Sequence, residues 1–215
     1  MTETRWITAT RSAYDTVAID YAQLLLHELD GKSLDRALLA VFAEQAGQLP
    51  GRIADLGCGP GRVTRFLSNL GADVFGMDLS PKMVEVARNT YPDLRFGVGS
   101  MESLDLDDAT LSGIVAWYSI IHAPPHALPG IFAEFHRTLI PGGCLLLAFQ
   151  AGDARVDIKR AYGHEVDFDG YRLDPGNIAA LLADAGLTVE STTVREPGYG
   201  ESTPQAYLLA SKAAA

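Results

Sequence analysis

The sequence predicts an α/β fold: a seven-stranded, mostly parallel sheet whose last strand runs antiparallel, with helices on both faces and an N-terminal helical cap. Three observations carry this. From Arg52 onward, short apolar runs alternate with stretches of helical period, the rhythm of strand–helix–strand units that pair into a parallel sheet. The first run ends in "DLGCGPG", Asp55 to Gly61, just where a helical stretch begins. The final two apolar runs are separated only by "EPGYGESTP", too short for a helical crossover, so that pair is antiparallel.

Taken in order, residues 1–50 read as a helical cap and 51–215 as the main domain. Ala13 to Leu29 carries Val17, Tyr21, Leu24, Leu25 and Leu29 at a helical period, and Gly31 ends it. Ser33 can cap a second helix holding Leu34, Leu38, Val41 and Phe42, broken by Gly47 and Pro50. Strands are predicted over Arg52–Leu56, Asp73–Met77, Leu94–Val98, Gly113–Trp117 and Gly143–Gln150, with helices over Gly61–Leu70, Pro81–Tyr91 and His126–Leu139. Gly152 to Arg172 is a polar and aromatic insertion, expected to form a loop or lid beside the site. "DPGNIAALLADAG", Asp174 to Gly186, reads as a capped helix, followed by strands Leu187–Arg195 and Gln205–Ala210.

Composition bounds the function. The 215 residues suit one domain, and 47% apolar residues suffice for a sizeable core. A net charge of −10 repels a phosphate backbone, so nucleic acid is a poor partner. The N-terminus lacks the apolar stretch of a secretory signal, and the longest apolar run, "CLLLAF", is too short for a bilayer. Cys58 and Cys144 fall in separate core-like elements and read as buried thiols of a reducing compartment. The expectation is a soluble cytoplasmic protein, monomeric or homodimeric, acting on a small molecule.

Ligands of open parallel sheets bind beyond the carboxyl ends of the strands, near the switch in strand order. Gly57 and Gly59 can adopt positive φ there and let a ligand lie against the backbone. Pro60 suits the first helical position, and Arg62 opens the helical surface. Gly57, Gly59 and Gly61 give GxGxG, one residue short of the dinucleotide fingerprint. Asp55 would tolerate an ammonium or sulfonium better than a pyrophosphate. The second strand ends in "VFGMDLS". Ser80 and Pro81 supply the next helix's N-cap and first turn, which leaves Asp78 spare to accept from the two hydroxyls of a ribose.

"IADLGCGPGR", "VFGMDLSPKMVEVAR", "FGVGSMESLDL", "IVAWYSIIH" and "LIPGGCLLLAF" occur in this order. Together they resemble the class I S-adenosylmethionine-dependent methyltransferases of the small-molecule type, which implies a Rossmann-like sheet and S-adenosylmethionine as cofactor. By that resemblance Asp55 to Gly61, including Cys58 and Pro60, would hold the methionine portion. Asp78 would bind the ribose and Leu79 would pack near the adenine, flanked by Ser100 and Met101. Similar enzymes often carry Asp where this chain has Ser100, so Glu102 or a backbone carbonyl would take the adenine amino contact. Met101 is equally explained by ordinary packing.

Trp117 and Tyr118, at the fourth strand's carboxyl end, could face a sulfonium by cation–π attraction or be core aromatics. His122, at the outer end of the loop that follows, could act as a general base, bond the cofactor or fix the loop. Tyr14 and Tyr21 share one helix face; in similar enzymes such a helix covers the cofactor, and Tyr21 could reach its methionine end. His164, Glu165, Tyr171 and Arg172 could line a substrate pocket or a solvated loop. Pro124 and Pro125 disfavour a metal-binding helix between His122 and His126, and no CxxC or HExxH occurs, so no metal is expected. His136 reads as structural. The rivals are a nicotinamide-dependent oxidoreductase, disfavoured by the glycine spacing, and a non-catalytic cofactor-binding regulatory module.

Overall fold

A computed structural model describes residues 4–198 and 200–214. The sheet is built from β1 (Arg52–Leu56), β2 (Val74–Asp78), β3 (Arg95–Val98), β4 (Leu111–Trp117), β5 (Leu139–Gln150), β8 (Leu187–Arg195) and β9 (Gln205–Lys212), in spatial order β3-β2-β1-β4-β5-β9-β8. Strands β1 to β5 pair in parallel, and β9 slots antiparallel between β5 and β8. The order reverses between β1 and β4. Ligands gather at that point, because the crossover helices leave the two strand ends on opposite faces and open a crevice.

Helices α2 (Ser33–Gly47), α3 (Arg62–Asn69) and α4 (Pro81–Thr90) cover one face, and α5 (Leu128–Thr138) and α6 (Pro175–Asp184) the other. Leu39, Phe42 and Leu67 are fully buried against the first face, as are Phe132, Phe135 and Leu182 against the second. Gly113 in β4 makes this packing possible. A Cβ there would stand 2.9 Å from both Ala46 Cβ and Phe42 Cζ, so α2 seats directly on the strand. The expected caps of α4 and α6 form: Ser80 Oγ accepts from Met83 N at 3.0 Å and Asp174 Oδ1 from Asn177 N at 2.8 Å. Cys58 and Cys144 are buried free thiols.

Several local expectations are corrected. The first helix, α1, spans Arg5–Leu25, starting eight residues before Ala13. Its inner face is Ile7, Thr10, Ala13, Val17 and Ala18, while Leu24 lies 68% exposed, so the leucines near its end are not its core stripe. A short 3-10 turn, Glu28–Gly31, follows. Ser33 makes no cap: Lys32 occupies that position, and its N–H reaches Leu29 O instead. Pro60 lies outside α3, whose N-cap is Gly61 at φ 87°. The insertion is ordered as a two-stranded hairpin, β6 (Ala154–Ala161) and β7 (His164–Arg172), lying against α1.

Candidate active site

The loop after β1 is shaped by backbone requirements. Gly57, Gly59 and Gly61 all have positive φ, at 74°, 53° and 87°, a region that costs other L-residues dearly. Gly57 N and Cys58 N donate to Met77 O at 2.7 and 3.1 Å, tying the loop to the end of β2. A Cβ at Gly57 would lie 2.2 Å from Ser119 Cβ. Ser119 in turn donates through Oγ to Leu56 O at 2.7 Å. A Cβ at Gly59 would meet only Tyr21 Cε1, at 3.7 Å, so this glycine opens onto free space. That space is a cavity of about 70 Å³, open at its mouth, floored by Gly57, Gly59 and Asp78 and roofed by α1.

Asp78 is not spare. Its Oδ2 accepts from Gly59 N at 2.7 Å and its Oδ1 from Ser80 N at 2.8 Å. The two bonds fix the carboxylate in the cavity wall, and each oxygen keeps a further lone pair for a ligand hydroxyl. Burial pushes its pKa up to about 6, against the pull of the Ser80 and Gly59 N–H groups. Asp55 lies deeper. It is 1% exposed, its Oδ2 accepts from Thr64 Oγ1 at 2.6 Å, and its Oδ1 has no partner among the described residues. Burial raises it to about 7.

The roof is aromatic. Tyr14 and Tyr21 on α1 stand edge to face, 5.9 Å between ring centres. Tyr162 packs on Tyr21 at 4.8 Å, and Phe168 on Tyr14 at 5.7 Å, so the hairpin clamps α1 down. Arg62 Nη1 donates to Tyr21 Oη at 3.1 Å and pairs with Glu28 at 2.7 Å. Burial alone would raise Glu28, but Arg62 and Lys32 hold it below the usual carboxylate range.

His122 is buried rather than at the loop's outer end. Its Nδ1 lies 3.1 Å from Asp169 O on β7 and its Nε2 2.7 Å from Tyr14 Oη. A carbonyl can only accept, so Nδ1 carries the hydrogen and Nε2 accepts from the Tyr14 hydroxyl. Burial lowers the imidazole to about 4, and it is neutral near pH 7. Trp117 is 4% exposed, with its ring 5.8 Å from Tyr118 and 5.5 Å from Tyr207. Tyr118 sits at φ 55°, an uncommon conformation for a bulky residue and one found where a site dictates the backbone.

Gly57, Gly59, Asp78, Leu79, Ser100, Met101, Trp117, Tyr118, His122 and Tyr21 therefore share one cavity. Asp55, Cys58, Pro60, Gly61 and Glu102 do not line it. Gly61 instead makes room for Phe96 Cζ, 2.7 Å from where its Cβ would be. Glu102 N donates to Ser100 Oγ at 3.2 Å, which orients the serine. His164 pairs with Asp20 at 2.6 Å, outside the cavity, as are Glu165, Tyr171 and Arg172. His126 is exposed, and no group of metal-ligating side chains occurs among the described residues. Trp6, Thr10, Arg11 and Ser119 line the cavity without having been singled out by sequence. Trp6 and Thr10 precede Tyr14 at four-residue spacing, the helical signal that would have found them.

Comparison with known proteins bears on the family and the fold. A family model described as a methyltransferase domain matches residues 53–143. A demethylmenaquinone methyltransferase of Chlorobaculum tepidum is 31% identical over 166 residues, 74% of this chain and 67% of that protein. An uncharacterised methyltransferase of Mycobacterium tuberculosis is 33% identical over 160 residues, 73% of this chain. The chain spans about three fifths of the length of that curated relative. Among solved structures, Burkholderia thailandensis 1,6-didemethyltoxoflavin-N1-methyltransferase, with bound 1,6-didemethyltoxoflavin and S-adenosylhomocysteine, superposes with TM-score 0.75. It is 19% identical, covering 99% of this chain and 91% of that one.

Proposed function

The chain belongs to the class I S-adenosylmethionine-dependent methyltransferase family, and from that premise we propose that it binds S-adenosylmethionine in this cavity and transfers the methyl group to a small organic acceptor. The observation that carries the reading is the Asp78 carboxylate, fixed by Gly59 N and Ser80 N in the wall of a cavity at the β1/β4 switch. The residues fit the cofactor. Asp78 offers its remaining lone pairs to the ribose hydroxyls. Leu79 and Met101 bracket the adenine, with Ser100 rather than Glu102 at its edge. The open hydrogen of Gly59 admits the methionine chain beneath Tyr21.

When bound, S-adenosylmethionine supplies an electrophilic methyl group on a sulfonium, so the protein has to align the acceptor and exclude water. Tyr21 and Tyr118 present aromatic surface to the cation. Helix α1 and the hairpin close the roof. Tyr14 Oη receives the acceptor's O–H or N–H proton and hands its own to His122 Nε2, the imidazole being held in the right tautomer by Asp169 O. His122 would hold that proton as an imidazolium, a charge that burial disfavours, so it would have to pass the proton on.

The net charge of −10 and the aromatic roof favour a small uncharged or weakly acidic acceptor over a nucleic acid. The two buried free thiols favour a cytoplasmic setting, and no helix among the described residues is long and apolar enough to cross a membrane. Calorimetric titration with S-adenosylmethionine and, separately, NAD tests the reading. Binding of the first alone is expected. Binding of NAD alone, or of neither, overturns it. Release of S-adenosylhomocysteine with a metabolite panel then separates turnover from mere binding.

A further inference from the structure

Trp117 carries a buried donor that the fold does not use. Its Nε1–H has no hydrogen-bond partner among the described residues, although the side chain is only 4% exposed and lines the cavity. An unpaired buried N–H is costly, and native proteins rarely leave one without a reason. The neighbouring hydroxyl cannot serve it: Tyr207 Oη donates to Asp35 Oδ1 at 2.9 Å and accepts from Arg195 Nε at 3.0 Å.

The sheet register says which part of a ligand would meet this donor. Asp55 pairs with Gly76 on one side and Val115 on the other. Two residues on, Asp78 and Trp117 therefore flank Gly57 from opposite strands. Neighbouring strands lie about 4.8 Å apart, which puts these two positions roughly 10 Å from one another across the loop. That span matches an extended S-adenosylmethionine from ribose to carboxylate. The N-terminus of α3 adds positive potential on this side, whereas Arg62 is already paired with Glu28.

We infer that the Trp117 indole N–H binds the carboxylate of the cofactor's methionine portion. The inference rests on the proposed cofactor site, and deepens it: Trp117 acts through its nitrogen rather than through its ring face. A hydrogen bond to a carboxylate is charge-assisted and stronger than a neutral one.

The test compares S-adenosylmethionine with its decarboxylated analogue, which keeps the adenosine, sulfonium and amine and lacks only the carboxylate. Wild-type protein should prefer the carboxylated form by roughly tenfold to a hundredfold. Trp117→Phe should shrink that preference to about threefold or less. Equal weakening toward both compounds overturns the inference and leaves the cofactor site standing, whereas failure of the wild type to bind either removes the site itself. A second measurement does not depend on the variant folding. The chain has two tryptophans, hence two indole resonances, assigned with Trp6→Phe. The Trp117 resonance should shift with S-adenosylhomocysteine and stay put with 5′-methylthioadenosine, which lacks the amino-acid end. An indole signal indifferent to both would mean that the N–H turns inward, toward the unpartnered Asp35 Oδ2, and would end the proposal.

Discussion

The cavity's floor is held by main chain and its roof by side chains. On the floor, Gly57 and Gly59 sit at positive φ, Met77 O collects two N–H groups, and Asp78 is gripped by the amides of Gly59 and Ser80. In the roof, α1 is fastened by Tyr14 to His122, by Tyr21 to Arg62, and by ring contacts with Tyr162 and Phe168 of the hairpin. A floor built this way tolerates few substitutions, because each alters backbone geometry. A roof built this way can change one contact at a time. Under the proposed function the difference suits the two surfaces to separate tasks: the floor would grip the cofactor, and the roof would be where acceptor preference can diverge.

The largest expected effect is at Gly57. Gly57→Ala forces a Cβ to within 2.2 Å of Ser119 Cβ at a φ of 74°, and should destabilise the protein by about 3–5 kcal/mol in denaturant unfolding. Tyr21→Phe, in the roof, loses one hydrogen bond from Arg62 and should cost about 1 kcal/mol. Comparable losses in the two variants would erase the distinction.

Next comes the pH dependence built into the floor. Asp55 has a folded pKa raised to about 7 by burial, above its unfolded value near 4. Its neutral form stabilises the fold below pH ~4, and that contribution is lost as pH rises through about 7. Asp78, raised to about 6, acts in the same direction. Stability should therefore fall between pH 4 and 7. Asp55→Asn, which can still accept from Thr64, should flatten most of that slope and stabilise the protein at pH 8 by roughly 2–4 kcal/mol. A wild-type curve that rises over this window would contradict the raised pKa.

Asp78→Ala follows. It removes the acceptor proposed for the ribose and should weaken S-adenosylmethionine binding by more than tenfold, about 1.5–3 kcal/mol, by calorimetry. An unchanged affinity would take Asp78 out of the site and leave the floor as a structural turn.

These floor residues were legible because local sequence dictates them. Positive φ demands glycine, a helix start after β2 demands Ser80 and Pro81, and the strand ends follow from periodicity. What misled was treating each signal as independent. Asp78 seemed spare once Ser80 had capped α4, yet it serves Gly59 from the neighbouring loop, a contact no window around Asp78 contains. The same limit hid the roof. Asp169 and Phe168 meet His122 across 47 and 46 positions of chain, and polar alternation over Ala154–Ala161 and His164–Arg172 looks like a loop until the two strands pair. Trp6 and Thr10 were missed because the helix was begun at Ala13, after its site-facing first turns.

The smallest effect sharpens the comparison most. Tyr14→Phe keeps the ring that packs on Tyr21 and Phe168 and deletes only the hydroxyl donating to His122 Nε2. The vacated acceptor loses its only side-chain donor among the described residues, and unfolding should become easier by about 1 kcal/mol. S-adenosylhomocysteine affinity should change less than about threefold, since no cofactor contact is proposed for the Tyr14 hydroxyl. Its neutral form no longer supported by a donor, His122 should then titrate at a higher pH than its present value of about 4, visible in its ring proton resonances. A Tyr14→Phe variant that lost cofactor as severely as Asp78→Ala would mean that the roof grips the cofactor too. The proton path through Tyr14 to His122 would then have to be separated from binding by the pH profile of turnover rather than by affinity.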